Sequence, residues 1–130
     1  MKVRIIAAAC AGLAFWIVRP ASAGPVFNGV IPNIPGKSLI ANEVNYGPGE
    51  ATPAHRHDAS AFIFAYVVSG AIESKVNDAE ARIYHAGESF IEPPGAIHSI
   101  CRNASRTEPA KMLVVFVVDT NHKAMLTPIK

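Results

Sequence analysis

After Gly24 no stretch of ten or more residues keeps an apolar spacing near 3.6, and short strand-like runs recur between glycine, proline and asparagine turns. Ser38 to Tyr46 stops at Gly47-Pro48-Gly49. Phe62 to Ser69 stops at Gly70, and Ala71 to Val76 meets an Asn77-Asp78 turn from which Ala81 to Tyr84 returns. Ser89 to Glu92 runs into Pro93-Pro94-Gly95, His98 to Arg102 follows, and Lys111 to Asp119 is the last and most apolar run. This punctuation predicts an all-β chain, an antiparallel sandwich or barrel enclosing a cavity, over residues 38–120. Residues 24–37 hold Pro25, Gly29, Pro32, Pro35 and Gly36 and are expected to form an irregular arm; residues 121–130 are expected to be a tail.

The first 23 residues read differently. Lys2 and Arg4 precede an apolar run from Ile5 to Val18, and Ala21-Ser22-Ala23 supplies the small residues that a signal peptidase cuts after. The 14 residues of that run fall short of the roughly 20 that span a bilayer, so a cleaved signal is expected rather than a permanent anchor. The product would be exported, to a periplasm or the medium. Removing residues 1–23 takes away Lys2, Arg4 and Arg19, leaving nine basic against ten acidic residues and moving the formal charge from +2 to −1. No basic stripe interleaved with aromatics remains, which argues against nucleic acid as a partner. Cys101 becomes the sole cysteine, so no internal disulfide is possible. The 107 residues left suffice for one domain.

Chemistry concentrates in two segments. In Ala54-His55-Arg56-His57 the histidines are one residue apart, and on a strand such residues share a face, so both imidazoles can reach one ion. His98 arrives after the Pro-Pro-Gly corner as a third candidate ligand. Glu92, just before that corner, is a candidate replacement ligand or general base. Phe62, Phe64, Tyr66 and Val68 alternate along one run and are expected to wall the cavity, Tyr66 adding a hydroxyl for a substrate. Asp58 is expected to cap a turn or orient an imidazole. Parity places Cys101 on the face opposite His98, buried outside the cavity. His85 and His122 lie at a hairpin and in the tail and are treated as non-ligands.

These two segments resemble the paired motifs of the cupin superfamily, G-x5-H-x-H-x3–4-E-x6-G and G-x5-P-x-G-x2-H-x3-N. Gly49, His55, His57 and Gly70 match the first, and Gly87, Pro93, Gly95 and His98 match the second; Asn103 falls one position late. The resemblance covers Gly49 to Asn103 and implies a jelly-roll β-barrel with a divalent metal on His55, His57 and His98. The motif's glutamate is missing. Counting forward from His57 gives Ala61 or Phe62, and counting back from Gly70 gives Ile63. A centre of three histidines, like that of thiol dioxygenases, is one outcome, with a carboxylate recruited from elsewhere or a lost metal as the others. Three neutral imidazoles leave a 2+ ion its full charge, favouring a hydroxide, an anion or a deprotonated chelate. Such a site suits Fe, Zn, Ni or Cu, with Mn less favoured.

The expected function is therefore an exported metal-binding cupin, a dioxygenase-like or related enzyme acting on a small anionic or chelating organic molecule. A non-catalytic binding module and a metal-free structural domain are the alternatives. The apolar Met112 to Val118 run and the Pro-rich arm are candidate surfaces for a homodimer; otherwise that run is a central strand buried on both faces.

Overall fold

The computed structural model describes residues 19–130, and every strand or helix among them is a strand. Strands β1 (Ser22–Val30), β2 (Lys37–Tyr46), β9 (Ala110–Asp119), β4 (Phe62–Ser69) and β7 (Ser89–Glu92) form one sheet in the order β1-β2-β9-β4-β7. Strands β10 (Leu126–Pro128), β3 (His55–His57), β8 (Ile97–Asn103), β5 (Ala71–Val76) and β6 (Arg82–His85) form the other, in the order β10-β3-β8-β5-β6. All strand pairs are antiparallel. Hydrogen bonding does not join the two sheets into one closed cylinder, and the two-layer arrangement is compatible with a jelly roll.

The inner faces of the two sheets bury one core. Ile63, Ala65 and Val67 of β4 and Met112, Val114, Phe116 and Val118 of β9 meet Ile72 of β5 and Cys101 of β8. Ile63 and Ile72 are fully buried, each stabilising the fold by about 1.5–3 kcal/mol. Gly70 closes the tight β4–β5 turn at φ +72°, and any side chain there would meet the Pro109 carbonyl oxygen at 2.6 Å.

Three expectations need correction. Residues 24–37 are not an irregular arm throughout, because Ser22–Val30 pairs with β2 as β1. An edge strand tolerates Pro25, whose missing N–H is not required by a second neighbour, and the register shifts between Pro25 and Phe27. The tail contributes β10, with Leu126 opposite His57. The third concerns β4. Phe62, Phe64, Tyr66 and Val68 point outward, each about 38–46% exposed, while their smaller neighbours fill the interior. They do not wall the cavity. Next to them, the most apolar run is the central strand β9, whose outward Leu113, Val115 and Val117 are half-buried while alternate residues are fully buried. Both faces of β4 and β9 are apolar, so hydrophobicity could not tell inside from outside. Of the expected signal over residues 1–23, residues 1–18, with the whole apolar run from Ile5 to Val18, lie outside the described residues; Ser22 and Ala23 pair with Asn45 and Val44.

Candidate metal centre

Strand register brings the histidines together. His55 of β3 sits directly opposite His98 of β8, and the alternation buried-exposed-buried over His55, Arg56 and His57 sends both β3 imidazoles inward. The Pro-Pro-Gly corner fixes the approach of β8: Gly95 takes φ +71°, Ala96 N–H donates to Pro93 O, and His57 N–H donates to Ala96 O. The same corner thus anchors His57 and aims His98. All three histidines are at least 95% buried, and each offers a ring nitrogen within 4.8 Å of the others.

The protons show what the arrangement lacks. His55 Nδ1 lies 2.8 Å from the Pro53 carbonyl oxygen, which only accepts, so Nδ1 carries the hydrogen and Nε2 of the neutral ring presents a lone pair to the cavity. That Nε2 is 3.0 Å from His57 Nε2, which in turn is 2.9 Å from Glu92 Oε2. One hydrogen on His57 Nε2 can serve His55 well or Glu92 well, not both. Consistently, the contact to Glu92 is close but out of line, and Glu92 Oε2 and His57 Nδ1 are buried side-chain atoms with no hydrogen-bond partner among the described residues. Separations near 3 Å are what about 2.0–2.1 Å bonds to a common ion produce between neighbouring ligands. The residues fit a divalent transition metal.

Glu92 arrives because β7 alternates and turns its even positions, Phe90 and Glu92, inward. Its other oxygen lies 3.2 Å from His98 Nδ1, while Ser74 Oγ lies 2.8 Å from His98 Nε2. Burial pushes the Glu92 carboxyl up, but the His57 and His98 imidazoles beside it outweigh that and hold it at about 2. Burial likewise pushes His98 down, and the neighbouring Cys101 and Glu92 carboxylate outweigh it and lift His98 to about 10. His55 is lowered, chiefly by burial and, against the pull of the Pro53 carbonyl, by the neighbouring His57 and His98. A neutral His55 is ready to ligate.

A cavity of about 150 Å³ opens onto this cluster, with Met112, Val114 and Phe116 as its apolar wall. Tyr66 is on the outer face and does not reach it. Tyr46, at the end of β2, lines it instead; its hydroxyl contacts Thr52 Oγ1 at 2.9 Å and Cys101 Sγ at 3.0 Å. Cys101 therefore shares the cavity with His98, contrary to the parity argument. The reason is a bulge: Val76 pairs with His98 and Lys75 with Ile100, so Ser99 is an extra residue that flips the faces beyond it. The same extra residue accounts for Asn103 arriving one position late, and Asn103 still ties the loops together through Gly47 O and Glu108 O.

Tyr46 and Ser74 gave no sequence signal beyond strand membership. Asp58 caps its own turn, accepting from Ser60 N–H and O–H at 2.8 and 2.6 Å. His85 is exposed, and neither it nor His122 joins the cluster. A wider cleft of about 640 Å³ lies between the Gly47–Ala51 loop and Arg102. In it Arg102 pairs with Glu73 at 2.6 Å, and Glu50 accepts from Gly47 N–H at 2.8 Å.

The Cupin domain family profile matches residues 42–116, and the chain belongs to that family. No curated protein matches the sequence. Among solved structures, the TT1209 protein of Thermus thermophilus is 24% identical, covering 82% of this chain and 90% of its own, with a TM-score of 0.62. An oxalate oxidase in complex with the substrate analogue glycolate is 26% identical over 67% of this chain, with a TM-score of 0.57. A DMSP lyase of Ruegeria pomeroyi is 18% identical over 84% of this chain, with a TM-score of 0.63. The match spans only 45% of the oxidase and 51% of the lyase.

Proposed function

We propose that this chain is an exported, jelly-roll cupin in which His55, His57 and His98 hold one divalent transition ion, and that it acts on a small anionic or chelating organic molecule. The convergence of two imidazole Nε2 atoms and an orphaned carboxylate oxygen within about 3 Å steps carries this reading. When bound, the ion supplies a Lewis-acidic charge that holds and polarises a substrate oxygen.

The protein's own groups do the rest. Met112, Val114 and Phe116 exclude water and strengthen electrostatic interactions inside the cavity. The Glu92 carboxylate, held anionic at neutral pH, faces the cluster and offsets the charge gathered there, and the Tyr46 hydroxyl is the neutral donor. A volume of about 150 Å³ holds roughly five water-sized groups, which selects a molecule of a few heavy atoms, such as a two- or three-carbon hydroxy acid or dicarboxylate. The likeness to an oxalate oxidase holding glycolate supports that class. Cleavage after Ala23 would remove Ala21 and Ala23 from the lining and widen the mouth.

Protein beginning at Gly24, loaded in turn with Fe, Mn, Zn, Ni and Cu, is expected to consume oxygen or convert a small carboxylic acid with at least one ion. Saturable binding without turnover across that panel would replace the enzyme with a binding module. Absence of any stoichiometric ion would remove the centre altogether.

The outward Phe62, Phe64, Tyr66, Val68 and Ile91 adjoin Leu113, Val115 and Val117 through the ladder, giving one continuous apolar face. Its flanking charges are neutralised in pairs, Lys37 with Asp119 and Lys111 with Glu43. We propose that a second copy covers it, since no net charge there opposes self-association. Light scattering should give the mass of two chains; a one-chain mass at tens of micromolar would discard the dimer.

A further inference from the structure

The cupin motif expects a glutamate at the position seven before Gly70, which is Ile63. Ile63 is inward and fully buried, and its direct partner across the β4–β7 ladder is Glu92, inward and 2% exposed. Directly opposed residues on antiparallel strands have Cβ atoms only about 4.5–5.5 Å apart and project to the same face. A long side chain on either strand can therefore deliver its carboxylate to much the same place.

Resting on the metal reading above, we propose that the carboxylate ligand of this centre has changed strands: Glu92 of β7 ligates the ion in place of a glutamate at position 63. Three observations carry the assignment. Glu92 Oε2 lies 2.9 Å from His57 Nε2, itself 3.0 Å from His55 Nε2. That oxygen has no hydrogen-bond partner among the described residues despite full burial, a state that is costly unless a cation completes it. The apolar residue occupies the vacated position, so exchanging the pair nearly conserves core volume.

The assignment changes what the site selects. Three neutral imidazoles and one carboxylate leave a divalent ion with a single positive charge. A monoanion then neutralises the centre, where a three-histidine ion would favour a dianion.

Cobalt(II) is a suitable probe, read by its visible spectrum and by chelator competition. In Glu92→Gln, which keeps size and loses charge, cobalt affinity should fall by about 100-fold and the absorption bands should move, as a ligand's loss requires. The double variant Ile63→Glu/Glu92→Ile should restore affinity to within about tenfold of the parent, because the ladder returns the carboxylate from the other side. If that variant does not fold, Glu92→Asp decides the matter: a shortened ligand shifts the bands while retaining part of the affinity. Parent protein that binds cobalt, with Glu92→Gln binding it equally and with unmoved bands, overturns the assignment and leaves the three-histidine centre standing. So does weaker binding with unmoved bands, which would make Glu92 only a positioning residue for His57 and His98. Parent protein that binds no cobalt removes the metal reading itself.

Discussion

Replacing His55 and His57 together by alanine should reduce bound metal from about one ion per chain to background, with the far-ultraviolet β signature intact. Each neutral imidazole contributes a bond that water must replace, and loss of even one supporting partner of a metal ligand costs about 10–100-fold in affinity. Two ligands lost at once should exceed that by several orders of magnitude. The fold should survive, because β3 is only three residues long and the core is carried by β4, β5 and β9. The substitutions leave cavities beside Phe116, whose ring packs 5.8 Å from that of His57, so the metal-free variant should lose about 1–3 kcal/mol. Metal analysis by mass spectrometry beside circular dichroism checks both halves. Equal metal content in variant and parent would refute the centre as drawn.

The second large effect is in pH. In metal-free protein Glu92 and His98 form one buried ion pair, which titrates from both ends. Glu92 is held at about 2 against an ordinary 4.5, so its contribution is fully present above pH 4.5 and disappears as pH falls toward 2. His98 is held at about 10 against an ordinary 6.5, so its contribution is fully present below pH 6.5 and disappears as pH rises toward 10. Metal-free protein should therefore be most stable between about pH 4.5 and 6.5 and lose melting temperature on either side.

Metal reverses the alkaline limb. A ligating imidazole must shed its proton, so binding to His98 releases one, and affinity should rise about tenfold per pH unit from pH 6.5 toward 10. Melting curves with and without metal, taken from pH 3 to 10, test this. If metal affinity were flat across that range, His98 would not be both protonated in the free protein and a ligand in the loaded one.

Much of the fold is legible in the sequence because turns are local. Gly47-Pro48-Gly49, Gly70, Asn77-Asp78 and Pro93-Pro94-Gly95 constrain backbone angles wherever they occur, and strands β2, β4, β5, β7 and β9 lie close to the runs these turns delimit. The His55–His57 pair is legible for the same reason, since alternation on a strand is a property of the strand alone. Parity misleads when it is carried too far. Counting from His98 puts Cys101 on the wrong face because Ser99 is an extra residue in between, and the late Asn103 shows that a residue is added without showing where the ladder takes it up. Tyr66 looks a better cavity residue than Tyr46 because β4 is apolar on both faces and the sequence has no coordinate for which side meets the other sheet.

Residue order alone determined an all-β domain, where its chain reverses, and that His55 and His57 share a side. Those outcomes depend on neighbours within a few positions. Tertiary structure alone decided that His98 lies opposite His55, that Glu92 faces the cluster from across Ile63, and that Tyr46 and Cys101 share its cavity. Each of those depends on the register between strands distant in sequence. Register is set by how whole inner faces pack, so it becomes defined only when both sheets are in place.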